Sequence, residues 1–365
     1  RTQAWGSNFF AVNYASKCAW VHWKKGGMRG LLDVYQFRAN VRFQTDTQSP
    51  HTYVPLLGLL REFRVKGGRP PGFAQKQLLG ALTSAKPGQT VELYMSDNYR
   101  LKKGFLREAG ACRFSGKELR LELDGSPLDM RQLNQLARLP VTSLSLNRTH
   151  LSTEALKSMA ALRPKWLSLS RCLLTDKEVG TLLKNRELNY LNLSFNMVSI
   201  FRCESRSLNH LDLSHNPLEV ARFSADNTLT ALELRATTLP LEELCANRFK
   251  DLHTLDLSAS GILPRGATDA VLARYRDSLA ASAPKLEVLS LQSCQLTNRS
   301  LTVVSKCQQL EFLDLRHNRE LTDLSAARPL SSLKILKIGP NACADEKRLI
   351  DVLKSLPKLK AVTLA

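Results

Sequence analysis

From about residue 118 to the end of the chain the apolar positions follow one template, LxxLxLxxNxL. Clear copies include Leu188-Leu191-Leu193-Asn196-Val198 and Leu208-Leu211-Leu213-Asn216-Leu218, and Leu310-Leu313-Leu315-Asn318 follows. Others, such as Leu229-Leu232-Leu234-Leu239 and Leu252-Leu255-Leu257-Ile262, keep the leucines and lose the asparagine. With the first leucine as position one, position four falls at residues 121, 144, 167, 191, 211, 232, 255, 289, 313, 336 and 362. The steps are 23, 23, 24, 20, 21, 23, 34, 24, 23 and 26 residues. The LxL core of each copy alternates as a strand does, so positions four and six face inward while three, five and seven face outward. One strand per copy at this period predicts a stack of coils in which each coil touches only its neighbours.

The segments between the strands differ along the array. Thr175-Asp-Lys-Glu178 reads as a capping box and predicts a helix to about Asn185. Ser152 to Leu162 and Asn298 to Lys306 predict helices as well. The short copies around residues 194–231 have no room for a helix and predict extended or 3-10 returns. The 34-residue step contains an insertion, residues 266–283, whose AVLARYRDSLAAS stretch predicts a longer helix ended before Pro284. Weak copies reach into the first third at Leu32-Tyr35-Phe37-Asn40, Leu60-Phe63-Val65 and Leu93-Met95-Asn98. The organisation expected is a basic and aromatic extension over 1–30, irregular repeats or a small α/β cap over 31–116, and the regular array over 117–365. The last copy is expected to end as a bare strand at Val362, Leu364 and Ala365, pointing either to a lost C terminus or to a partner that covers it.

On these residues the chain resembles the leucine-rich repeat superfamily, in its ribonuclease-inhibitor-like and cysteine-containing forms, over about two thirds of its length. The resemblance implies an α/β solenoid, with a curved parallel sheet on the concave side and helices and 3-10 turns on the convex side. At position nine, asparagine can satisfy buried backbone groups at the turn; Asn196, Asn216, Asn318 and Asn341 stand there. Thr149, Cys172, Thr237, Ser260 and Cys294 replace it in other copies, so Cys172 and Cys294 are expected to be buried and inert.

Composition narrows the function. The chain carries 52 Lys+Arg against 33 Asp+Glu, a formal net charge of +19, which favours anionic partners. Residues 1–115 hold 18 Lys+Arg and 6 Asp+Glu, so most of the surplus sits in the first third. There Lys17, Trp20, Trp23, Lys24, Lys25, Arg29, Arg38 and Arg42 interleave bases with aromatics, a pattern suited to a polynucleotide backbone and stacked bases. The other reading of the same residues is docking on a neighbouring protein. No apolar run is long enough to span a bilayer, so no membrane span is expected. The eight cysteines have neither CxxC nor zinc-ligand spacing, and reduced thiols in an intracellular chain are expected. The sequons at Asn147, Asn192 and Asn298 are expected to be unmodified.

The outward strand positions supply a second candidate surface. Position three reads Trp166, Tyr190, His210, Ala231, Thr254, Val288 and Phe312, and position five includes Asp212, Glu233, Asp256 and Asp314. Stacked in register, Trp166, Tyr190, His210 and Phe312 would form an aromatic ridge beside an acidic column of Asp212, Glu233, Asp256 and Asp314, able to take a basic peptide or helix. Against this, LDLS is a common wording of the motif and fits a merely solvated face.

No phosphate-binding, dinucleotide-binding, HExxH or GxSxG signature is present, so neither catalysis nor a cofactor or metal is expected. The function expected is a non-catalytic interaction scaffold. Its preferred setting is a subunit or assembly factor of a large ribonucleoprotein such as the mitochondrial ribosome, with other subunits and RNA as partners and the mitochondrial matrix, or else the cytoplasm, as its compartment. The alternative is a stand-alone recognition module, a ubiquitin-ligase adaptor or a bacterial effector. Ribonuclease inhibition is disfavoured, because a chain of this charge repels a basic enzyme.

Overall fold

The computed structural model describes residues 141–261 and 268–364 throughout. Before residue 141 it describes the backbone of 2–4, 9–14, 17–22, 39–45, 52–54 and 89–95, residues 118–125, and positions 134, 136 and 139. Contacts divide the chain into two units, Arg1–Pro164 and Lys165–Ala365.

Among the described residues the first unit forms two sheets. β1 (Thr2–Ala4), β2 (Phe9–Tyr14) and β3 (Lys17–His22) pair antiparallel in that order. The second sheet is built from β4 (Ala39–Thr45), β5 (Thr52–Val54), β6 (Gln89–Met95), β7 (Glu118–Glu122) and β8 (Val141–Ser145). β6, β7 and β8 run parallel, with Leu93 opposite Leu121 and Leu121 opposite Leu144, which extends the position-four column back to residue 93. β4 departs from the template: it pairs antiparallel with both β5 and β6, whereas a repeat strand runs parallel. The weak copy around Leu60-Phe63-Val65 lies outside the described residues. Helix α1 (Thr153–Leu162) follows β8, with the Ser152 hydroxyl accepting the Ala155 N–H at its start.

The second unit is a stack of coils around one parallel sheet. Its strands are β9 (Trp166–Ser168), β10 (Tyr190–Asn192), β12 (His210–Asp212), β14 (Ala231–Glu233), β15 (Thr254–Asp256), β16 (Val288–Ser290), β17 (Phe312–Asp314), β18 (Ile335–Ile338) and β19 (Ala361–Leu364). Each pairs with the next without a register shift, so every template position forms a straight column. The inward leucines of position four, from Leu167 to Leu336, are buried, each contributing about 1.5–3 kcal/mol of transfer free energy. In β19 all four residues are exposed.

The convex side follows the spacing in most coils. α2 (Asp176–Leu182) starts at the expected box: the Thr175 N–H and hydroxyl both donate to Oε2 of Glu178. In the two short coils the return is extended, and β11 (Ile200–Cys203) and β13 (Val220–Phe223) pair parallel as a small second sheet. Beneath it Phe201, Phe223 and Phe249 pack in series, with centroids 5.6 Å and 5.2 Å apart. α3 (Leu241–Cys245) is short and went unpredicted; α4 (Asp269–Ser282) is the inserted helix, capped by Thr268 and ended before Pro284. α5 (Glu346–Lys354) starts from the Asp345 cap.

The helix expected over Asn298–Lys306 is a 3-10 segment, Ser300–Val304, instead. The run Thr302-Val303-Val304 is β-branched and resists an α-helical turn. Asn298, in place of capping a helix, turns its Oδ1 to the Thr322 and Asp323 N–H groups of the next coil, each at 2.8 Å.

Position nine builds an internal ladder. Asn196 Oδ1 accepts the Cys172 and Leu174 N–H groups of the preceding coil at 2.9 and 3.0 Å, while its Nδ2 donates to the Leu169 and Leu193 carbonyls at 2.8 Å each. Asn216 and Asn318 repeat the two carbonyl bonds and accept the Val198 and Leu296 N–H groups respectively. Ser260 covers the same ground with one hydroxyl, donating to Leu234 O and accepting from Thr237 N. Cys294 donates its thiol to Leu257 O at 3.0 Å, and burial pushes its pKa to about 11, the state of an inert packing residue.

Position eight shows a regularity that the template does not announce. Arg148, Arg171, Phe195, His215, Ala236, Ala259, Ser293 and His317 all have φ between 50° and 59°, so these eight coils turn their corner through a left-handed residue that is not glycine, while Gly125 holds the same position after β7 at φ 65°. Leu173 and Gln295, which follow the two cysteines of position nine, are left-handed as well.

Candidate functional site

The straight columns of the second unit place the outward residues without ambiguity. At position three, Trp166 lies opposite Tyr190 and Tyr190 opposite His210. The Trp166 and Tyr190 rings stack at 4.6 Å and 11°, and Tyr190 meets the His210 ring at 4.7 Å and 33°. All three are half-buried without any partner present. The ladder stops there, because Ala231, Thr254 and Val288 follow in register, and Phe312 stands four coils beyond His210 with Lys337 Nζ 5.0 Å over its ring.

The carboxylates of position five have divided duties. Asp212, Asp256 and Asp314 each accept the backbone N–H two residues on, from Ser214 and Ser258 at 2.8 Å and from Arg316 at 3.1 Å. Asn192 makes the same bond to Ser194 at 2.8 Å. The Asp of LDLS is thus a turn residue first, since its short side chain can satisfy its own strand end. Glu233 is one methylene longer and reaches sideways, its Oε1 standing 2.8 Å from His210 Nε2. Asp314 is further held by a bidentate bond from Arg316, at 2.9 Å from Nε and 2.6 Å from Nη2.

Local electrostatics follow from these contacts. Burial raises the Asp212 pKa, the Ser214 hydrogen bonds oppose the rise, and neighbouring Glu233 adds to it. Burial, Asp212 and Glu233 together raise the Tyr190 phenol. At Asp314 burial acts in the same direction, but the Arg316 hydrogen bonds outweigh it and carry the pKa below the ordinary carboxylate value. The ladder end of the sheet face is therefore aromatic and then acidic, while the end near Phe312 is neutralised by Arg316 and Lys337.

The structure brings Trp166, Tyr190, His210, Asp212, Glu233 and Asp256 together on five successive coils, and sets Phe312 and Asp314 apart from them. Trp23, Lys24, Lys25, Arg29 and Arg38 lie outside the described residues. Lys17 and Trp20 fall in β3 and Arg42 in β4, where the backbone alone is described. Sequence reasoning missed a second ladder on the corner column: Arg171 sits 4.1 Å over Phe195, which stacks on His215 at 3.9 Å. The spacing Arg171–Phe195–His215 matches the strand period, and that was the signal available. Two of the sequon amides are engaged, Asn147 Nδ2 with Asp124 and Ser145 and Asn298 Nδ2 with the Thr322 hydroxyl. Among the described residues no group of three or more His, Cys, Asp or Glu is arranged to hold a metal, and no helix is long and apolar enough to cross a membrane.

Residues 204–220, which carry one complete coil boundary, match the family model described as Leucine Rich repeat. The chain has the leucine-rich repeat fold. A curated relative, Toll-like receptor 13 of Mus musculus, is 30% identical over 115 residues, covering 32% of this chain and 11% of the receptor. The chain thus spans about a tenth of that relative's length. Among solved structures, an internalin of Listeria monocytogenes is similar at 16% identity, over 81% of this chain and 91% of the internalin, with a TM-score of 0.49. A leucine-rich repeat protein of Leptospira interrogans is similar at 22% identity, over 71% of this chain and 62% of its own, with a TM-score of 0.48. The fold assignment rests on the register and the asparagine ladder themselves.

Proposed function

We propose that this leucine-rich repeat protein is a non-catalytic scaffold that binds a partner protein on the outward face of its second-unit sheet. The observation that carries the reading is the Trp166–Tyr190–His210 ladder, three half-buried rings stacked on successive strands and backed by a rigid core. Aromatics held this way lose little side-chain entropy on binding and are enriched at interface hot spots. Photo-crosslinking tests it, with the reactive residue placed at Asn192 or Thr254 on the sheet face and at Arg274 on α4 as control. A discrete protein adduct from the face positions, lost in Trp166→Ala/Tyr190→Ala, is the expected result; equal yield from Arg274 overturns the reading.

In its finer form the proposal makes the protein a subunit or assembly factor of a large ribonucleoprotein, the mitochondrial ribosome being the example. Support for this comes from charge, since residues 1–115 hold 18 Lys+Arg against 6 Asp+Glu. Co-purification from the native source with and without nuclease tests it. Recovery of RNA-bound proteins that vanishes on nuclease treatment is expected, and recovery indifferent to nuclease and to salt contradicts it.

A further inference from the structure

The position-three column changes size abruptly. After the three large rings come Ala231 and Thr254, and the column rises again only at Val288 and Phe312. Strands in such a sheet lie about 4.8 Å apart, so two small residues in register leave a notch about two strands wide. One wall is the His210 ring, pinned on one side by Tyr190 at 4.7 Å and at its Nε2 by Glu233 at 2.8 Å. The flank is formed by Glu233 and Asp256, adjacent in register. Arg235, two residues beyond Glu233, is exposed. Two carboxylates adjacent in register make this stretch of the face locally negative, and a cation placed between them is attracted by both while its stem covers the Ala231 and Thr254 surface.

The geometry points to a socket at His210, Ala231, Thr254, Glu233 and Asp256 that accepts one arginine or lysine side chain presented by the partner protein. The guanidinium or ammonium meets the Glu233 and Asp256 carboxylates, its alkyl stem lies over Ala231, and the His210 ring bounds it on the ladder side. The inference rests on the reading that this face binds protein and adds what the partner must carry. It also orients the partner: its apolar anchors lie over Trp166 and Tyr190, and its basic residue follows in the direction of β14 and β15.

A selection on the full chain tests this. Random dodecapeptides displayed on phage are panned against the wild type, and the recovered sequences are synthesised with a fluorescent label. Each basic residue is then replaced in turn by citrulline, which keeps the shape of arginine and removes its charge. Three variants are compared: Glu233→Gln/Asp256→Asn, Ala231→Phe, and Trp166→Ala/Tyr190→Ala. The amide pair preserves the turn bond of Asp256, as Asn192 shows, and an aromatic at position three has precedent in Phe312. The expected result is enrichment of one arginine or lysine. Its citrulline replacement and the Gln/Asn variant should each weaken binding about tenfold, and the two together should cost no more than either alone. Ala231→Phe should abolish the preference. Peptides that need Trp166 and Tyr190 yet bind equally with citrulline and to Ala231→Phe overturn the socket and leave the interaction face standing. Peptides indifferent to Trp166→Ala/Tyr190→Ala overturn both.

Discussion

Replacing Asn196 by alanine removes five hydrogen bonds, four of them no longer than 3.0 Å, from a site shielded from water. Two N–H groups, of Cys172 and Leu174, and two carbonyls, of Leu169 and Leu193, lose a partner that sits between 2.8 and 3.0 Å away. Asn196 is 5% exposed, so solvent does not replace the amide. At about 1–3 kcal/mol for each buried group left unpaired, and allowing for relaxation and for carbonyls that keep other donors, the expected cost is about 4 kcal/mol. Asn341 occupies the same template position one coil from the end but is exposed and makes a single bond, to Arg319 O at 2.7 Å, so Asn341→Ala should cost less than about 1 kcal/mol. Urea unfolding followed by far-ultraviolet circular dichroism measures the difference. Amide exchange at Cys172 and Leu174 shows whether the loss is local. If Asn196→Ala proves as mild as Asn341→Ala, or if exchange at those two amides does not accelerate, the ladder is not what holds adjacent coils together.

Other consequences are smaller but equally direct. Gly180 lies exposed within α2 with nothing within 4 Å of where a Cβ would stand, so Gly180→Ala should stabilise by about 0.5–1 kcal/mol in the same unfolding assay. Asp212 has a folded pKa above its unfolded one, so its charge opposes folding at neutral pH. Asp212→Asn, which keeps an Oδ1 for the Ser214 N–H, should raise the melting temperature at pH 7. That gain should fade as pH falls through the folded pKa and be gone below the unfolded value. Asp314 behaves oppositely: its lowered pKa adds stability above the ordinary carboxylate range that is lost as pH falls through the folded value. Arg316→Met should therefore lower the melting temperature at pH 7 and make no difference once the carboxyl is protonated.

Much of this was legible in the sequence, because a solenoid writes its tertiary structure into local spacing. Each coil packs only on its neighbours, so the residue numbers of the LxL pairs gave both the strands and their register. The capping box at Thr175–Glu178 and the Pro284 stop were local signals for the same reason. The failures have physical causes. At Asn298 a capping residue was claimed by the next coil's backbone, a tertiary contact that propensity does not see. β4 belongs to a hairpin-like edge whose antiparallel pairing no repeat template encodes. On the site, the columns could be written down in advance, but the duty of each carboxylate could not. The same acidic position proved to be a turn cap at Asp212, Asp256 and Asp314, while the longer Glu233 met a histidine one strand away.

In the proposed function, a partner protein is gripped at the Trp166–Tyr190 end of the second-unit sheet face. The most direct measurement is the dissociation constant of the photo-captured partner for Trp166→Ala/Tyr190→Ala beside the convex control Arg274→Ala. At about 2 kcal/mol for each ring at a hot spot, the double substitution should weaken binding by at least about 100-fold, with the control unchanged. Affinities within about threefold of the wild type for both proteins would place recognition elsewhere on the molecule.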